Sequence, residues 1–251
     1  MRLIIFGDSH VVALGRAIPD LNPVERNVYP GEIRVGKVMP FNHSLRDFFV
    51  VRGDEIRFGD APHRKQISKL FGREVIGQDS RDSILALSMP FTTTLVLRNG
   101  TWNSHSPWSV TDHSNKQLVS HAVLYEIALA HFAAVLRFVT ALQSIDLRLM
   151  VVAAPPPRAT DSKIARWNPE VILRVDELTR GVIANELEQR AVPVVEPPDE
   201  VFQQPGRRGF LRSEYGDDRD DHHGNAEYGR LMLLRVMALA ASMLQHNGGS
   251  A

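Results

Sequence analysis

The chain has 251 residues, 43% of them hydrophobic, which is enough to bury a full core in one domain. Its 29 lysines and arginines balance its 29 aspartates and glutamates, so no net charge favours nucleic acid or an anionic membrane as a partner. Cysteine is absent, which excludes disulfides, cysteine nucleophiles and thiolate metal sites.

The start of the chain carries no pattern typical of a targeting segment. Its apolar run, residues 3–6, is too short for the core of a signal peptide and leads directly into a glycine turn. We expect no segment with the apolar length of a membrane span. These features predict a cytoplasmic protein with one domain over residues 1–246 and a disordered tail over 247–251.

The first hundred residues predict strands, a short helix and a hairpin. The uninterrupted apolar run Leu3–Phe6 is typical of a parallel strand buried on both faces, and the residues after Ser9 form a short helix pattern that stops near Pro19. Further strands are predicted over 32–39, 84–89 and 93–98, with a hairpin insertion over 48–58 that turns at Gly53 and Asp54.

Helices and strands alternate in the second half of the chain. Ser114 and Gln117 have the spacing of a capping box, which predicts the start of a long helix that continues to Leu142. Strands are then predicted over 147–154 and 192–196, and helices over 169–190 and 226–244. This alternation indicates an α/β fold in which helices cover both faces of a mostly parallel sheet.

The tripeptide Gly7-Asp8-Ser9 follows the first predicted strand directly. Ligands bind at the carboxyl ends of parallel strands, where a serine hydroxyl and nearby amides can meet a reacting carbonyl. Alternatively, Asp8 or Ser9 only caps the helix that follows.

A second polar motif, Asp220-Asp221-His222-His223, lies just before the last predicted helix. A serine needs a histidine to accept its proton, and the histidine needs a carboxylate to hold its tautomer. Asp220 and His223 are three residues apart, which permits a direct hydrogen bond, and Asn225 is placed to cap the helix. Two other interpretations are a solvated acidic loop and a metal site built from the histidines and aspartates.

Together the two motifs resemble those of the SGNH (GDSL-like) hydrolase family. The resemblance implies a flavodoxin-like three-layer fold around a mostly parallel five-stranded sheet. It also implies Ser9 as nucleophile, His223 as base and Asp220 as the orienting carboxylate, with no cofactor and no metal. Members of the family carry two further oxyanion donors, a glycine after the second strand and an asparagine after the third.

The oxyanion donors of this chain are less clear than the triad. The Ser9 amide is one donor, and Gly36 is the first choice for the glycine, with Gly31 as its alternative. If residues 93–98 form the third core strand, Asn103 supplies the side chain. If residues 84–88 do so, the donors fall on residues 89–92, where only a threonine hydroxyl and backbone amides are available.

The resemblance predicts a serine esterase or deacylase that acts on a small-molecule ester, such as a small acyl group on a carbohydrate or related metabolite. Candidate substrate contacts are Asp8, His10, Trp102 and His105. An acyltransferase with the same triad and a binding protein that retains the fold but has lost its chemistry are the alternatives. A nucleotide-binding protein is disfavoured because the chain has no glycine-rich phosphate loop.

Overall fold

The structure, a computed structural model, describes residues 1–89, 91, 93–111, 115–204 and 209–245. Its strands are β1 (Arg2–Gly7), β2 (Glu32–Lys37), β3 (Phe49–Arg52), β4 (Glu55–Phe58), β5 (Val75–Gly77), β6 (Ser83–Ser88), β7 (His105–Pro107), β8 (Gln117–Val119), β9 (Arg148–Val152) and β10 (Val194–Val195). Its α-helices are α1 (Val11–Ala17), α2 (Pro23–Arg26), α3 (Ala61–Phe71), α4 (Thr94–Leu97), α5 (His121–Ser144), α6 (Pro169–Gln189) and α7 (Ala226–Gln245). The predicted tail, 247–251, lies outside the described residues.

Five strands of the described chain form a parallel sheet in the order β10-β9-β6-β1-β2. In chain order this is the 2-1-3-4-5 arrangement of flavodoxin-like folds. The predicted α/β fold with a mostly parallel five-stranded sheet is therefore confirmed. Strand order reverses at β1, so the crevice beyond the end of β1 is the expected ligand site.

Each face of the sheet has its own apolar core because the strands are buried on both sides. Leu3 and Ile5 of β1 face the cluster that includes α1 and α7, whereas Ile4 and Phe6 face the cluster formed with α3, α5 and α6. Burial on both faces explains why the strand sequences are uninterrupted apolar runs and not alternating ones.

The predicted hairpin insertion is present as β3 and β4, which are antiparallel and are extended by β5 into a three-stranded sheet. Gly53 has a φ of 55° in the two-residue turn, a conformation that glycine adopts without strain. In the chain, α3 lies between β4 and β5 of this small sheet, which is separate from the parallel sheet.

The strand predicted over residues 93–98 is wrong, since Thr94–Leu97 form the helix α4. The sheet position beside β6 is taken by β9, so this segment has no strand to pair with. Val96 and Leu97 instead pack in a third apolar cluster that contains Trp102 and Val171. Tertiary packing overrides the strand propensity of the threonine and valine residues.

The helix predicted to begin at Ser114 begins at His121. Ser114 lies outside the described residues, and Gln117 belongs to β8. The true cap is Ser120, whose hydroxyl accepts a hydrogen bond from the Val123 amide at 3.3 Å. A serine caps the helix as predicted, but six residues later and without a capping box, because the third residue after the cap is Val123.

Helix α5 is apolar enough, with a mean hydropathy of 1.7 over its best window, to pass a length-and-composition test for a membrane span. The sequence analysis expected no such segment. The same test is passed by helices that line a protein core, and α5 buries ten of its own residues, Phe132 and Phe138 among them. The test therefore gives only weak support for a membrane span.

Candidate active site

Ser9 lies at the end of β1, in a turn that glycine makes possible. A Cβ on Gly7 would lie 2.1 Å from the Ser88 carbonyl oxygen, so no other residue fits between β1 and β6. The Asp8 amide donates to this same carbonyl at 3.0 Å, and the buried Asp8 carboxylate accepts the His10 amide at 2.9 Å. The turn thus fixes Ser9 at the point where the sheet order reverses.

The structure brings Ser9, His223 and Asp220 together from opposite ends of the chain. The His223 Nε2 atom lies 2.7 Å from the Ser9 Oγ atom, and its Nδ1 atom lies 2.6 Å from the Asp220 Oδ2 atom. Both distances are in hydrogen-bond range. In this order of contacts a histidine can accept the proton of a serine during acyl transfer, while the carboxylate orients the imidazole and stabilises its charged form.

Asp220 is held in its charged form. Burial alone would raise the pKa of Asp220, but hydrogen bonds from the amides of His222 and His223, together with the His223 ring, lower it to about 2. Its Oδ1 atom accepts these amides at 2.9 and 2.8 Å, which leaves Oδ2 for the ring. The carboxylate therefore faces His223 as an acceptor throughout the neutral pH range.

Arg158 anchors the loop that carries Asp220. Its Nη1 atom donates to the carbonyls of Asp217 and Asp220, both at 2.7 Å. The guanidinium lies against Gly216, where a Cβ would come within 2.5 Å of it. The Asp217 amide in turn donates to the His223 carbonyl at 2.9 Å, which closes the loop on itself. The sequence analysis did not find this role, because Arg158 follows a different strand.

Two further histidine rings lie beside His223. The ring centroids of His222 and His10 are 3.9 and 4.8 Å from that of His223. Burial is the main cause that lowers the pKa of both His10 and His222, and the neighbouring charge of His223 lowers it further. Both rings are therefore neutral at neutral pH and leave His223 as the proton acceptor next to Ser9.

The predicted role of Gly36 in the oxyanion hole is not supported by its position. Gly36 lies inside β2, paired with Phe6, and not beyond the strand end. A Cβ there would meet the Leu70 side chain at 2.9 Å, so the packing of α3 explains the glycine. The alternative, Gly31, packs against the Met1 carbonyl at the opposite end of β2.

The choice of Asn103 is corrected by the fold. It depended on a third core strand over 93–98, whereas the third strand is β6. Asn103 instead ends a 3-10 turn, and its Oδ1 atom accepts the Trp167 Nε1–H at 2.7 Å. The other prediction placed the third core strand over 84–88, and the position of β6 agrees with it. It puts the oxyanion donors on residues 89–92, of which Pro90 and Thr92 lie outside the described residues.

The Ser9 amide is available for oxyanion binding. It donates to no acceptor in the described part of the chain.

The loop after β6 ends at buried Thr93, whose hydroxyl donates to Asp176 of α6. Asp176 also accepts from buried Arg180 at 2.9 Å, and Arg180 donates to the carbonyls of Ala154 and Pro155. This network ties together the loops after β6 and β9.

Burial corrects most of the predicted substrate contacts. Trp102 is 1% exposed, and its Nε1–H donates to the Val96 carbonyl at 2.7 Å, so it is a core residue. Asp8 and His10 are also buried, at 0% and 5% exposure. They flank Ser9, and the Asp8 carboxylate accepts the His10 amide across it. His105 is half-buried in β7 and contacts Ser104 and the Thr101 carbonyl, with no contact to the triad.

A small recess lies next to His222, whose ring contacts that of His223. It is lined by α4, the loop after β9 and part of the segment before α6; its members include Thr93, Pro155 and Ile164. No triad residue lines this recess, and none lines the wider grooves along α5.

Asp220, His222 and His223 also satisfy the distance criterion for a metal site, since their ligand atoms lie within 4.8 Å of one another. However, both ring nitrogens of His223 already have partners, Ser9 and Asp220. A metal ion on His223 would have to displace one of them. The hydrogen-bonded chain is therefore the better description of these three residues.

Comparisons with known proteins give a fold but no close relative. No family model matches the sequence, and no curated protein matches it. A protein from Bacteroides fragilis, described as a candidate acylhydrolase, is similar to it with a TM-score of 0.51 at 11% identity, over 97% of this chain and 87% of that one. The chain has the fold of the SGNH hydrolases.

Two other solved structures match the chain at lower similarity. A GDSL-like lipase from Bacteroides thetaiotaomicron has a TM-score of 0.49 at 9% identity, over 97% of this chain and 88% of that one. An extracellular lipase from Streptomyces rimosus has a TM-score of 0.49 at 12% identity, over 96% and 99% of the two chains. At these identities the likeness concerns the fold and not the substrate.

Proposed function

We propose that the chain is a serine hydrolase that cleaves an ester of a small acyl group. The observation that carries this proposal is the unbroken series of contacts from Asp220 through His223 to the Ser9 hydroxyl, at 2.6 and 2.7 Å. The SGNH hydrolase fold supports it, since the structure of this fold from Bacteroides fragilis is described as that of a candidate acylhydrolase.

In the proposed reaction the Ser9 Oγ atom attacks the ester carbonyl carbon while its proton passes to His223 Nε2. The carbonyl oxygen becomes negative, and the free Ser9 amide donates to it. His223 then gives the proton to the leaving alcohol, and the bond from carbon to that alcohol breaks. Water, deprotonated by the same ring, attacks the acyl carbon; the bond from that carbon to Ser9 Oγ breaks, His223 returns the proton to Oγ, and the acid is released. Asp220 stays ionised and stabilises the imidazolium in both halves.

The proposed substrate is a small acyl group on a carbohydrate or a related metabolite. Its carbonyl carbon must reach the Ser9 hydroxyl, which follows the carboxyl end of β1, where sheets of this strand order bind their ligands.

One observation favours a second function. Among the described residues, Gly36 lies inside β2 and the Asn103 side chain accepts a hydrogen bond from Trp167, so neither is positioned as the oxyanion donor that the resemblance implies. Loss of one donor from a working oxyanion hole reduces turnover by about 10²–10³-fold. A protein that binds an ester or sugar and turns it over slowly, or not at all, would show this pattern.

Labelling with a fluorophosphonate probe, together with hydrolysis of p-nitrophenyl acetate, tests the proposal. We expect wild-type protein to be labelled at Ser9, and both labelling and hydrolysis to be lost in Ser9→Ala and His223→Ala. His222→Ala is the matched control, because its ring has no bond to Ser9, and it should retain both. Wild-type protein that is folded but unlabelled and inactive would favour the binding function.

A further inference from the structure

A second group of histidines lies outside the proposed active site, between the loop after β2 and the start of α3. His43 is in the 3-10 turn Phe41–Leu45, Asp60 precedes α3, and His63 is in its first turn. The His43 Nδ1 atom lies 3.4 Å from His63 Nε2, and the Asp60 Oδ2 atom lies 3.6 Å from His63 Nδ1. One ligand atom from each residue lies within 4.8 Å of the others.

His63 is buried with one of its two ring nitrogens unpartnered. It is 6% exposed, and among the described residues its Nδ1 atom has no hydrogen-bond partner. Buried polar atoms normally have a partner, so this arrangement calls for an explanation.

Asp60 is also unusual for its position. An aspartate that precedes a helix normally accepts an amide N–H from the first turn, but the Asp60 side chain makes no such bond. Its carboxylate lies instead on the Nδ1 side of His63. A small movement would complete a hydrogen bond from His63 Nδ1–H to Asp60.

The separation of the two ring nitrogens matches that of two ligands on one ion. Zinc binds histidine nitrogen at about 2.0–2.1 Å, so two nitrogens at a tetrahedral angle are about 3.4 Å apart. His43 is half-buried, which leaves a path from solvent to the pair.

We propose that His43 Nδ1 and His63 Nε2 bind a divalent transition metal ion of the zinc class, with Asp60 holding the other nitrogen of His63. A carboxylate on the second nitrogen fixes the tautomer and ring orientation of a metal-bound histidine. The remaining positions of the ion would be filled by water. The ion links the loop after β2 to α3, and it takes no part in the reaction at Ser9.

Isothermal titration of the full chain with Zn²⁺, after treatment with a chelator, tests this site independently of ester hydrolysis. We expect wild-type protein to bind one Zn²⁺ through this site, and His43→Ala to bind at least about tenfold more weakly. His43 is on a loop, so its removal should leave the fold intact, which circular dichroism can check. His222→Ala is the matched control because His222 belongs to the other histidine cluster, and it should bind as the wild type does.

Three results would overturn the proposal. Wild-type protein that takes up no Zn²⁺ would mean that the His43–His63 contact is only a hydrogen bond between rings. Unchanged affinity in His43→Ala would place the ion elsewhere. Loss of binding in His222→Ala would place it at the loop of Asp220. The melting temperature in Zn²⁺ is a second measurement: it should rise in the wild type and His222→Ala, but not in His43→Ala.

Discussion

At the scale of single residues, the two oxygens of Asp220 have different tasks. Oδ1 accepts two backbone amides and so shapes the loop, whereas Oδ2 faces the Nδ1 atom of His223. A substitution that keeps the acceptor of the two amides but places a donor opposite His223 Nδ1 would separate the effect on loop geometry from the effect on proton transfer.

Asp220→Asn is such a substitution. The asparagine oxygen can still accept both amides, but its NH₂ group then faces His223 and donates to Nδ1. His223 must therefore carry its proton on Nε2, where it cannot accept the proton of Ser9. We expect kcat for p-nitrophenyl acetate to fall by about 10⁴-fold, the effect of a triad histidine held in the wrong tautomer, with little change in melting temperature. Asp218→Asn, on the same loop, is the control; equal activity in wild type and Asp220→Asn would exclude the triad mechanism.

The triad residues could be predicted from sequence because each motif is local. Gly7-Asp8-Ser9 follows an evident strand, and Asp220 and His223 are close enough in sequence to bond directly. Gly36 and Asn103 could not be placed in this way, because their positions depend on strand register and on which segment is the third strand. Both depend on contacts between residues far apart in the chain.

At the scale of elements, the loop between Gly216 and Gly224 is fixed by a partner outside it. Arg158 donates to two of its carbonyls, and the loop closes through a bridge between Gly216 and Gly224. Since this loop carries both Asp220 and His223, the position of the proposed base depends on an arginine that follows β9.

Arg158→Met tests this dependence. Methionine keeps much of the volume but leaves two carbonyls without a donor, so we expect a loss of about 1–3 kcal/mol in the free energy of unfolding. A displacement of His223 by about 1 Å can reduce kcat by about 10²-fold, while KM for a small ester should change little. Arg219→Met is the control, since Arg219 bonds the same loop but its side chain is 66% exposed. If both variants behave alike, Arg158 has no special positioning role.

The segment 93–98 shows why element predictions fail here. Its two threonines and its valine have high strand propensity, and they stand beside two leucines. In the fold, β9 arrives from more than fifty residues away to pair with β6, so the segment is left to pack against α6 as a helix. Local propensity gives the conformation that an isolated segment favours. Whether the segment forms a strand also depends on whether a sheet position next to another strand is free.

At the scale of the whole molecule, the reactive groups join the two ends of the chain. Ser9 and His223 are 214 residues apart, and α1 packs against α7 directly behind them. A Cβ on Gly229 of α7 would lie 2.0 Å from the Ala13 carbonyl of α1, so this close packing requires glycine. The stability of the helix pair and the geometry of the site are therefore coupled.

The burial of His10, the residue before α1, predicts a loss of stability in mild acid. Burial, with the charges of His223 and His222, holds the pKa of His10 well below 6.5 in the folded protein, whereas the unfolded chain has the ordinary value. As the pH falls through about 6.5, the unfolded chain takes up a proton that the folded chain does not, so the free energy of unfolding falls. Each such proton contributes a slope of about 1.4 kcal/mol per pH unit.

His10→Leu removes this proton uptake without leaving a polar atom unpaired, because the Nδ1 atom of His10 has no partner in the described structure. Urea unfolding at pH 7.5, 6.0 and 5.0 should therefore give a shallower pH dependence for His10→Leu than for the wild type. Between pH 6.0 and 5.0 the slopes of the free energy of unfolding against pH should differ by an amount that approaches one proton. His222 and His63, whose pKa values burial also lowers, remain in both proteins, so His10→Leu keeps part of the wild-type slope. His121→Leu is the control, since His121 is exposed and should keep the wild-type slope. Identical slopes in His10→Leu and the wild type would mean that His10 takes up its proton equally in both states, and that the helix pair opens to solvent near Ser9.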